Sequence, residues 1–399
     1  MNILIVSNYY YPELGAAPSR ITNLAEGLAE KGHCVEVVCP IPNYPKGKVF
    51  NEYKGSWTKH ENINNIFVHR YWIYPSISMN PVLRILSMFS FAFSLWLFAF
   101  RRKTIAKTDV VFVQNSPLLV SMSAIILFKK LFRKKLVLNI SDLWPLSALE
   151  LGAVQKGKFY SFLEWVEKFN YRNSHFIVGQ SQEILEHVRK IVHKPDFLYR
   201  NLPKTKFDTK PFHQNQKFRI IYAGLLGVAQ GVFDLVSHID FKSFHVEFHI
   251  YGHGNEKEKI QNYLKANPDS NVFYHGSLVK SELNKILPGF QASIVPLKNR
   301  IHGAVPSKIF ELSKAEVPIL FCGGGEGAEI VNKYHLGYSS KPGDFIQLAA
   351  HIKKMSKLGV ESFQQLKENC KKVSYSVFDF NNQLDLLIEQ LEKISTRKK

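Results

Sequence analysis

Short apolar runs, separated by stretches with helical spacing, recur along almost the whole chain. They cover residues 3–7, 34–39, 66–72, 110–114, 136–140 and 175–179 in the first half, and 219–223, 246–251, 272–275, 292–296 and 318–322 in the second. Continuous apolar runs are typical of parallel strands, because helices cover both faces of such a sheet. The pattern therefore predicts an α/β chain with two doubly wound, Rossmann-like domains.

The predicted boundary between these domains lies near residue 201. A Lys- and Pro-rich stretch with little periodicity runs from there to about residue 217, as expected of a linker. We predict an N-terminal domain at 1–200, a second domain at 201–375, and a final segment at 376–399 whose helix crosses back to the first domain. Ligands of open parallel sheets bind beyond the carboxyl ends of the strands, so donor and acceptor are expected in a cleft between two facing domains.

Cysteine usage and the N-terminus indicate the compartment. The four cysteines, Cys34, Cys39, Cys322 and Cys370, are scattered and suggest neither a disulfide framework nor a metal cluster. Residues 1–7 lack the basic start and the apolar length of a secretory signal. We therefore expect a protein of the reducing cytoplasm whose chain begins with a buried strand.

The formal net charge of +19 calls for an acidic partner or surface. Apolar segments near 81–103 and 118–135 end in basic clusters, a pattern that favours a monotopic helix lying on an anionic membrane face. A membrane span is less favoured, because Arg84 and several hydroxyl or proline residues interrupt residues 81–100. An internal core helix without a membrane role remains an alternative. Nucleic acid is the weakest partner, because the cations follow apolar runs instead of interleaving with aromatics.

The run Val305-Pro-Ser-Lys-Ile-Phe-Glu311 indicates an anion site at the start of a helix. Backbone N–H groups and a partial positive charge at a helix N-terminus suit a diphosphate. Lys308 would reach phosphate oxygens, and Glu311, about one turn on, can accept hydrogen bonds from the two hydroxyls of a ribose. An ordinary capped helix start is the alternative interpretation.

Three glycine-rich loops follow strands of the second half. They occupy residues 223–231, which include Gly224 and Gly227, residues 251–254, which include Gly252, and residues 323–327. Each alone can be an ordinary turn. Together, at one edge of one sheet, they predict a phosphate-binding surface.

In the first half, Gly15 and Ala16 lie in a loop that follows the first strand, and Asp142 follows the strand at 136–140. A carboxylate at the carboxyl end of a strand occupies a position where binding and catalysis concentrate. The alternative for Asp142 is the N-cap of the following helix. Neither His33 nor His302 is assigned a general-base role.

These residues together resemble the retaining glycosyltransferases of family 4, which have the GT-B fold. The resemblance covers essentially the whole chain and is carried by the Gly15 loop, Gly32-His33, the Gly224 loop, residues 251–254, and residues 306–311 followed by Pro318. Asp142-Leu-Trp-Pro145, Gln230-Gly231 and residues 305–308 are most similar to the fucosaminyltransferase-like enzymes of O-antigen synthesis.

The resemblance implies that Glu311 binds the donor ribose, that backbone at Ala304 and Val305 holds the diphosphate, and that no metal is required. It also implies that the Gly15 and Gly227 loops flank the leaving group. The sequence departs from the family at Gly303, where a second Glu is usual, at Leu225 and Gln230, where Arg and Lys are usual, and at Asp142, which replaces a usual His.

The site predicted from motifs and resemblance has a donor part and an acceptor part. Donor binding is assigned to Gly224, Gly227, Gln230, Gly252, Arg300, Ala304, Val305, Ser307, Lys308 and Glu311, acceptor binding to Gly15, Ala16 and Asp142, and catalysis to Asp142, Lys308 and Glu311. Lys298 is a further candidate for phosphate binding. No cofactor or metal is expected.

The predicted reaction moves a sugar, such as N-acetylfucosamine, from a UDP-sugar to a polyprenyl-diphosphate-linked oligosaccharide. The predicted place is the cytoplasmic face of the cell membrane, in O-antigen, capsule or exopolysaccharide synthesis. Two other functions stay open: a nucleotide-sugar epimerase with the same fold, and a membrane-bound partner subunit without catalysis. Interconversion of a UDP-sugar without acceptor would indicate the epimerase, and failure to bind any nucleotide would indicate the partner subunit.

Overall fold

The computed structural model describes residues 1–76, 81–205, 207 and 217–396. The chain divides into two compact units: Met1–Asn201 with Phe380–Lys399, and Leu202–Asp379. Each unit is built around one largely parallel sheet. The predicted α/β class with two doubly wound domains is confirmed.

The first sheet has eight strands and the second has six. The strands are β1 (Asn2–Val6), β2 (Cys34–Pro40), β3 (Thr58–Ile63), β4 (Ile66–Tyr71), β5 (Val110–Gln114), β6 (Lys135–Ile140), β7 (Phe176–Gly179), β8 (Asp196–Leu198), β9 (Phe218–Leu225), β10 (Val246–His253), β11 (Val272–Tyr274), β12 (Ala292–Pro296), β13 (Ile319–Cys322) and β14 (Gly337–Ser340). Their orders are β3-β4-β2-β1-β5-β6-β7-β8 and β11-β10-β9-β12-β13-β14.

Helices connect these strands, and a few short turns of other helix types interrupt them. The α-helices are α1 (Ala16–Glu30), α2 (Pro81–Ser94), α3 (Arg102–Lys107), α4 (Leu118–Ala124), α5 (Leu146–Glu150), α6 (Lys158–Arg172), α7 (Gln182–Ile191), α8 (Val232–His238), α9 (Lys257–Ala266), α10 (Lys280–Ile286), α11 (Lys308–Lys314), α12 (Glu326–Lys333), α13 (Phe345–Ser356), α14 (Val360–Ser376) and α15 (Phe380–Thr396). The 3₁₀ helices are Asn51–Tyr53, Leu95–Phe100 and Leu287–Gly289, and Ile125–Leu131 is a π-helix.

The sequence analysis did not identify β3, β8 and β14, all of which are edge strands. β3 pairs with β4 in antiparallel fashion, and its residues are alternately exposed and half-buried, so it has no apolar run. The connecting residues Asn64 and Asn65 both have positive φ angles, 51° and 64°. Two such residues form the tight turn that a hairpin prefers, and asparagine tolerates this conformation.

The C-terminal helix α15 packs on α1 within the first unit. A Cβ at Gly27 of α1 would collide with Leu384 and crowd Phe380, so the two helices approach closely where α1 has no side chain. The side-chain amide of Gln383 accepts from Arg200 N at 2.8 Å and donates to Arg200 O at 2.9 Å. These contacts fix residues 380–396 to the N-terminal unit.

The two segments predicted to contact a membrane both contribute side chains to the core of the first unit. Residues 81–100 form α2 and the 3₁₀ helix Leu95–Phe100, with Phe91, Leu95 and Phe98 in the core. The segment at 118–135 contributes most of its apolar side chains to the same core, and its contact with a membrane stays a prediction. Within the described ranges, no helix has both the length and the apolarity needed to cross a bilayer.

Candidate active site

Lys308, the first residue of α11, has its ammonium in a desolvated position. Its Nζ lies 4.5 Å from the centroid of the Tyr222 ring, on β9. Desolvation lowers the pKa of Lys308 to about 8, against a smaller opposing effect from the carboxylate of Glu311. A cation held next to an aromatic face with little water is ready to pair with an anion.

Gly224, near the end of β9, makes room for this ammonium. A Cβ at residue 224 would collide with Lys308 Nζ and touch the Tyr222 hydroxyl. That hydroxyl donates a hydrogen bond to Leu225 O at 2.5 Å, which fixes the ring under the lysine. The glycine predicted to admit a phosphate therefore also admits the lysine side chain.

Close packing against backbone atoms explains why residues 252 and 254 are glycines. Gly252 is paired with Gly224 in the register of β9 and β10, and a Cβ on Gly252 would collide with Gly224 O. A Cβ on Gly254 would collide with Leu226 O. Gly252 and Gly254 thus allow the end of β10 to approach the backbone at Gly224 and Leu226 closely, at the carboxyl edge of the sheet.

The start of α11 is shorter and more internally bonded than the sequence suggested. The helix has seven residues, and the Ser307 side chain forms no capping hydrogen bond. The N–H groups of Phe310 and Glu311 both donate to Ser307 O at 3.1 Å, and Ala304 N donates to Ile301 O at 3.2 Å. Because a helix of two turns has a small dipole and these amides are occupied, the ammonium of Lys308 contributes more positive charge here than the helix N-terminus does.

Glu311 is half-buried and close enough to Lys308 to influence its pKa. Both side chains start from the first turn of α11. A carboxylate in that place can accept hydrogen bonds from the hydroxyl groups of a ligand whose anionic part lies at Lys308.

Two further cations belong to the second unit. Lys298 forms an ion pair with Asp234, Nζ to Oδ2 2.6 Å. Arg300 is exposed, and its side chain runs along Gly324, whose Cβ would lie 3.5 Å from Arg300 Cδ. Arg300 and the glycine-rich loop at 323–327 therefore belong to one surface.

The three positions in the second unit that depart from the family pattern differ in their surroundings. Gly303 has φ 77°, a left-handed conformation that a glutamate adopts only with strain. Leu225 is 63% exposed where a basic residue is usual in the family. The amide oxygen of Gln230 is buried without a hydrogen-bond partner among the described residues, and a Cβ on Gly227 would press on it.

In the first unit, Gly15 and Ala16 begin helix α1 beside a second loop. Gly15 is the N-cap of α1 with φ 140°, and a Cβ there would lie 3.1 Å from the Tyr44 ring. The carboxylate of Glu13 accepts from the N–H groups of Asn43 and Tyr44 at 2.8 and 2.9 Å. The loop after β1 and the loop after β2 are thereby joined into one surface at the carboxyl edge.

Asp142 is exposed just beyond β6. It accepts a hydrogen bond from Ser141 Oγ at 3.0 Å. The N-cap residue of the next helix, α5, is Pro145, so the alternative interpretation of Asp142 as an N-cap is wrong. Its carboxylate remains available to a ligand at this edge.

Arg20 is a polar residue that sequence reasoning missed. Its side chain is buried in α1, and its Nε and Nη2 have no hydrogen-bond partner among the described residues. Burial lowers the pKa of Arg20 to about 10, and the nearest opposing charge is Asp142. The sequence does carry a sign of this buried cation, because Arg20 lies in the apolar stripe of α1, four residues before Leu24.

The structure brings Gly224, Gly252, Lys308 and Glu311 together at the carboxyl edge of the second sheet. Gly227 and Gln230 form the turn that follows, with Gln230 N donating to Gly227 O at 3.0 Å. Gly15, Ala16 and Asp142 lie at the corresponding edge of the first sheet, in the other unit. Within the described ranges, no three His, Cys, Asp or Glu side chains come together as metal ligands.

β9 lies between β10 and β12, so the chain winds outward from β9 in both directions. Such a point of reversal is where open α/β sheets bind their ligands. Lys308 and Gly224 lie at the end of β9. The geometry therefore places the strongest candidate site of the second unit at the position that the fold itself favours.

Comparisons with known proteins agree with this architecture. Residues 15–196 match the family of glycosyl transferase 4-like domains, and residues 203–373 match the glycosyl transferases group 1 family. The glycosyltransferase WbjE of Pseudomonas aeruginosa is 23% identical over 72% of this chain and 76% of its own length. WcaI of Escherichia coli, named as a colanic acid biosynthesis glycosyl transferase, is 25% identical over 65% of this chain and 68% of its own length.

A solved structure supports the fold. The crystal structure of HepE from Anabaena in complex with UDP superposes with a TM-score of 0.66 at 14% identity, covering 98% of this chain and 100% of the other. Similarity at that identity establishes the fold alone. With both domains matched in order along the chain, the protein belongs to the group 1 glycosyltransferases and has the GT-B fold.

Proposed function

We propose that the protein is a retaining, metal-independent glycosyltransferase that uses a UDP-sugar donor and a polyprenyl-diphosphate-linked oligosaccharide acceptor in polysaccharide synthesis. The observation that carries the proposal is the desolvated ammonium of Lys308 at the end of β9, with Glu311 in the same helical turn. The family match favours transfer over the epimerase and partner-subunit alternatives. Resemblance to the fucosaminyltransferase-like subgroup suggests N-acetylfucosamine as one candidate sugar.

The donor is assigned from the charge that must be stabilised. When the bond between the anomeric carbon and the diphosphate oxygen breaks, the electron pair leaves with the nucleotide diphosphate, and Lys308 and Arg300 can neutralise it. Glu311 accepts from the ribose hydroxyls. UDP is the nucleotide in the HepE complex, which supports uridine for this chain.

The acceptor hydroxyl is assigned to the first unit. Its oxygen forms the new bond to the anomeric carbon on the face that the diphosphate leaves, so the configuration is retained, and its proton passes to the departing diphosphate oxygen. Asp142 is exposed at the carboxyl edge of that unit, and we assign it to binding the acceptor hydroxyl. Gly15 and Ala16 offer backbone to the same substrate.

A lipid-linked acceptor requires contact with a membrane, and an exposed apolar stripe supports this. Phe89, Phe93 and Phe100 are 48%, 79% and 84% exposed. Phe89 and Phe93, four residues apart, lie on one side of α2, and Phe100 ends the 3₁₀ helix that follows. Arg102 and Lys103 are exposed directly after them. Aromatic side chains next to cations suit the interface of an anionic bilayer.

Nucleotide binding tests the proposed donor site. Calorimetry should show that the wild type binds UDP more tightly than GDP, ADP or a short DNA duplex, and that Glu311→Ala weakens UDP binding about 10- to 100-fold, as for loss of charge-assisted hydrogen bonds. Glu329→Ala is a matched control, because Glu329 is an exposed glutamate on α12. No UDP binding by the wild type, or equal binding by both variants, would show that the site is wrong.

Vesicle binding tests the membrane part separately. The double variant Phe93→Ser, Phe100→Ser should lose sedimentation with phosphatidylglycerol-containing vesicles. The control Phe67→Ser should keep it, because Phe67 is a 52% exposed phenylalanine on β4. Equal sedimentation of all three proteins would exclude the stripe as the membrane contact.

A further inference from the structure

We infer that the first unit carries a binding subsite for a sugar ring of the acceptor glycan, formed by Trp57 and Trp72. The two indoles line a pocket of about 350 Å³ together with Ile41, Tyr53, Lys54 and Ser56. We call this the tryptophan pocket. Its volume falls in the range of small-molecule sites.

The tryptophan pocket lies at the carboxyl edge of the first sheet. Ile41 directly follows β2, and Trp72 directly follows β4. Ile41 N donates to Tyr71 O at 2.9 Å, so these strand ends lie side by side. Because strands are spaced about 4.8 Å apart, the end of β4 lies roughly 10 Å from the end of β1, within reach of an oligosaccharide bound at the loop that follows β1.

One stretch of chain joins the pocket to the predicted acceptor loop. The segment after β2 begins with Ile41 in the pocket and continues through Tyr44, whose ring lies against Gly15. Glu13 holds the backbone of this segment through two hydrogen bonds. A glycan extending from the Gly15 loop along this segment would reach the tryptophan pocket.

The Trp57 indole offers a platform suited to a sugar ring. It stacks on the Trp72 indole, with centroids 5.4 Å apart and planes inclined by 20°, and it is 69% exposed, so Trp72 covers part of one face and the ring keeps a large open surface. A pyranose has an apolar C–H face that packs on such a surface, while its hydroxyls can bond to indole N–H groups and to polar side chains such as Lys54 and Ser56. The concave shape and mixed lining favour a glycan over a bilayer, which needs a projecting apolar surface.

This inference rests on the proposed function for the identity of the ligand as acceptor, but its test does not depend on the donor site. Labelled protein is applied to an array of immobilised bacterial mono- to tetrasaccharides. The wild type should bind a subset of glycans, Trp57→Ala should bind them at least 10-fold more weakly, and Trp57→Phe should retain most of the binding. Trp165→Ala, which removes a 53% exposed tryptophan of α6 outside the pocket, should bind as the wild type does.

Several results would overturn the inference. Two of them are a wild type that binds no glycan and a Trp57→Ala variant with unchanged glycan binding. The third is a Trp57→Ala variant that loses sedimentation with vesicles but keeps glycan binding, which would assign the tryptophans to a membrane. UDP calorimetry and urea unfolding of Trp57→Ala should both match the wild type, and the unfolding curve shows that the first unit of the variant is folded. If neither protein binds UDP, the proposed function fails while the array still decides on the pocket.

Discussion

Replacing Lys308 by methionine is expected to stabilise the protein while impairing its binding of a nucleotide diphosphate. Burial lowers the pKa of this lysine from 10.5 to about 8, which corresponds to roughly 3 kcal/mol of unfavourable free energy for holding the charge in the folded state. A methionine of similar length removes that cost. A residue that destabilises the fold for the sake of function is a known trade-off.

The pH dependence of stability follows from the sign of this shift. Since the folded pKa is depressed, the penalty is fully present below about pH 8 and disappears as the pH rises toward 10.5. Urea unfolding should therefore show Lys308→Met to be more stable than the wild type by up to ~3 kcal/mol at pH 7, with a much smaller difference at pH 10. Lys265→Met, which changes an exposed lysine of α9, should leave stability within about 0.5 kcal/mol.

UDP affinity of the wild type should fall as the pH rises above 8, whereas the stability of the wild type should rise. The ammonium is present below about pH 8, so wild-type affinity should be constant from pH 6.5 to 7.5 and fall toward tenfold per pH unit above 8. Lys308→Met should bind weakly at every pH, and its transfer rate should be about 10²- to 10³-fold lower, as for loss of one electrostatic contact to a leaving group. Constant wild-type affinity up to pH 9.5, or tight UDP binding by Lys308→Met, would show that the ammonium of Lys308 does not bind the diphosphate.

Three other substitutions test separate parts of the account. Gly224→Ala should weaken UDP binding about as much as Lys308→Met, because the new Cβ at residue 224 displaces the ammonium of Lys308. Gly289→Ala, whose Cβ meets no atom within 4 Å, should leave UDP affinity in calorimetry unchanged. Asp142→Asn should keep UDP affinity and lower the transfer rate by about 10²-fold, measured as UDP release with the lipid-linked acceptor, because the acceptor hydroxyl is no longer held in position; an unchanged rate would remove Asp142 from the site. In urea unfolding, Leu384→Ala should lower the free energy of unfolding by about 2–5 kcal/mol. Leu386→Ala, at a 49% exposed position of the same helix, should change this free energy by less than about 0.5 kcal/mol. Equal effects of the two substitutions would contradict the packing of α15 on α1.

Much of the fold could be predicted from the sequence because buried parallel strands are marked by their composition. The runs at 110–114 and 292–296 are strands with the predicted bounds. The missed strands are short edge strands, whose residues are too polar or too few to produce an apolar run. The burial of most apolar side chains in segment 118–135 could not be predicted, because an apolar helix that ends in lysines has the same sequence pattern in a core as at a membrane surface.

The candidate site was predictable in its location but not in its chemistry. Glycines and prolines mark the loops at strand ends, so the position of Lys308 next to the Gly224 loop could be expected. The desolvation of Lys308 depends on Tyr222, and the burial of Arg20 depends on the packing of α1, and neither contact is visible in a linear pattern. The tryptophan pocket joins residues 15 positions apart on two different loops, which only the sheet brings together.

A crystal structure of the protein soaked with UDP would show where the diphosphate binds. We expect the diphosphate oxygens within about 3 Å of Lys308 Nζ at the end of β9, the usual range of charge-assisted hydrogen bonds, with the ribose hydroxyls on the carboxylate of Glu311. UDP bound at another place, or a diphosphate that leaves Lys308 without contact, would contradict this placement.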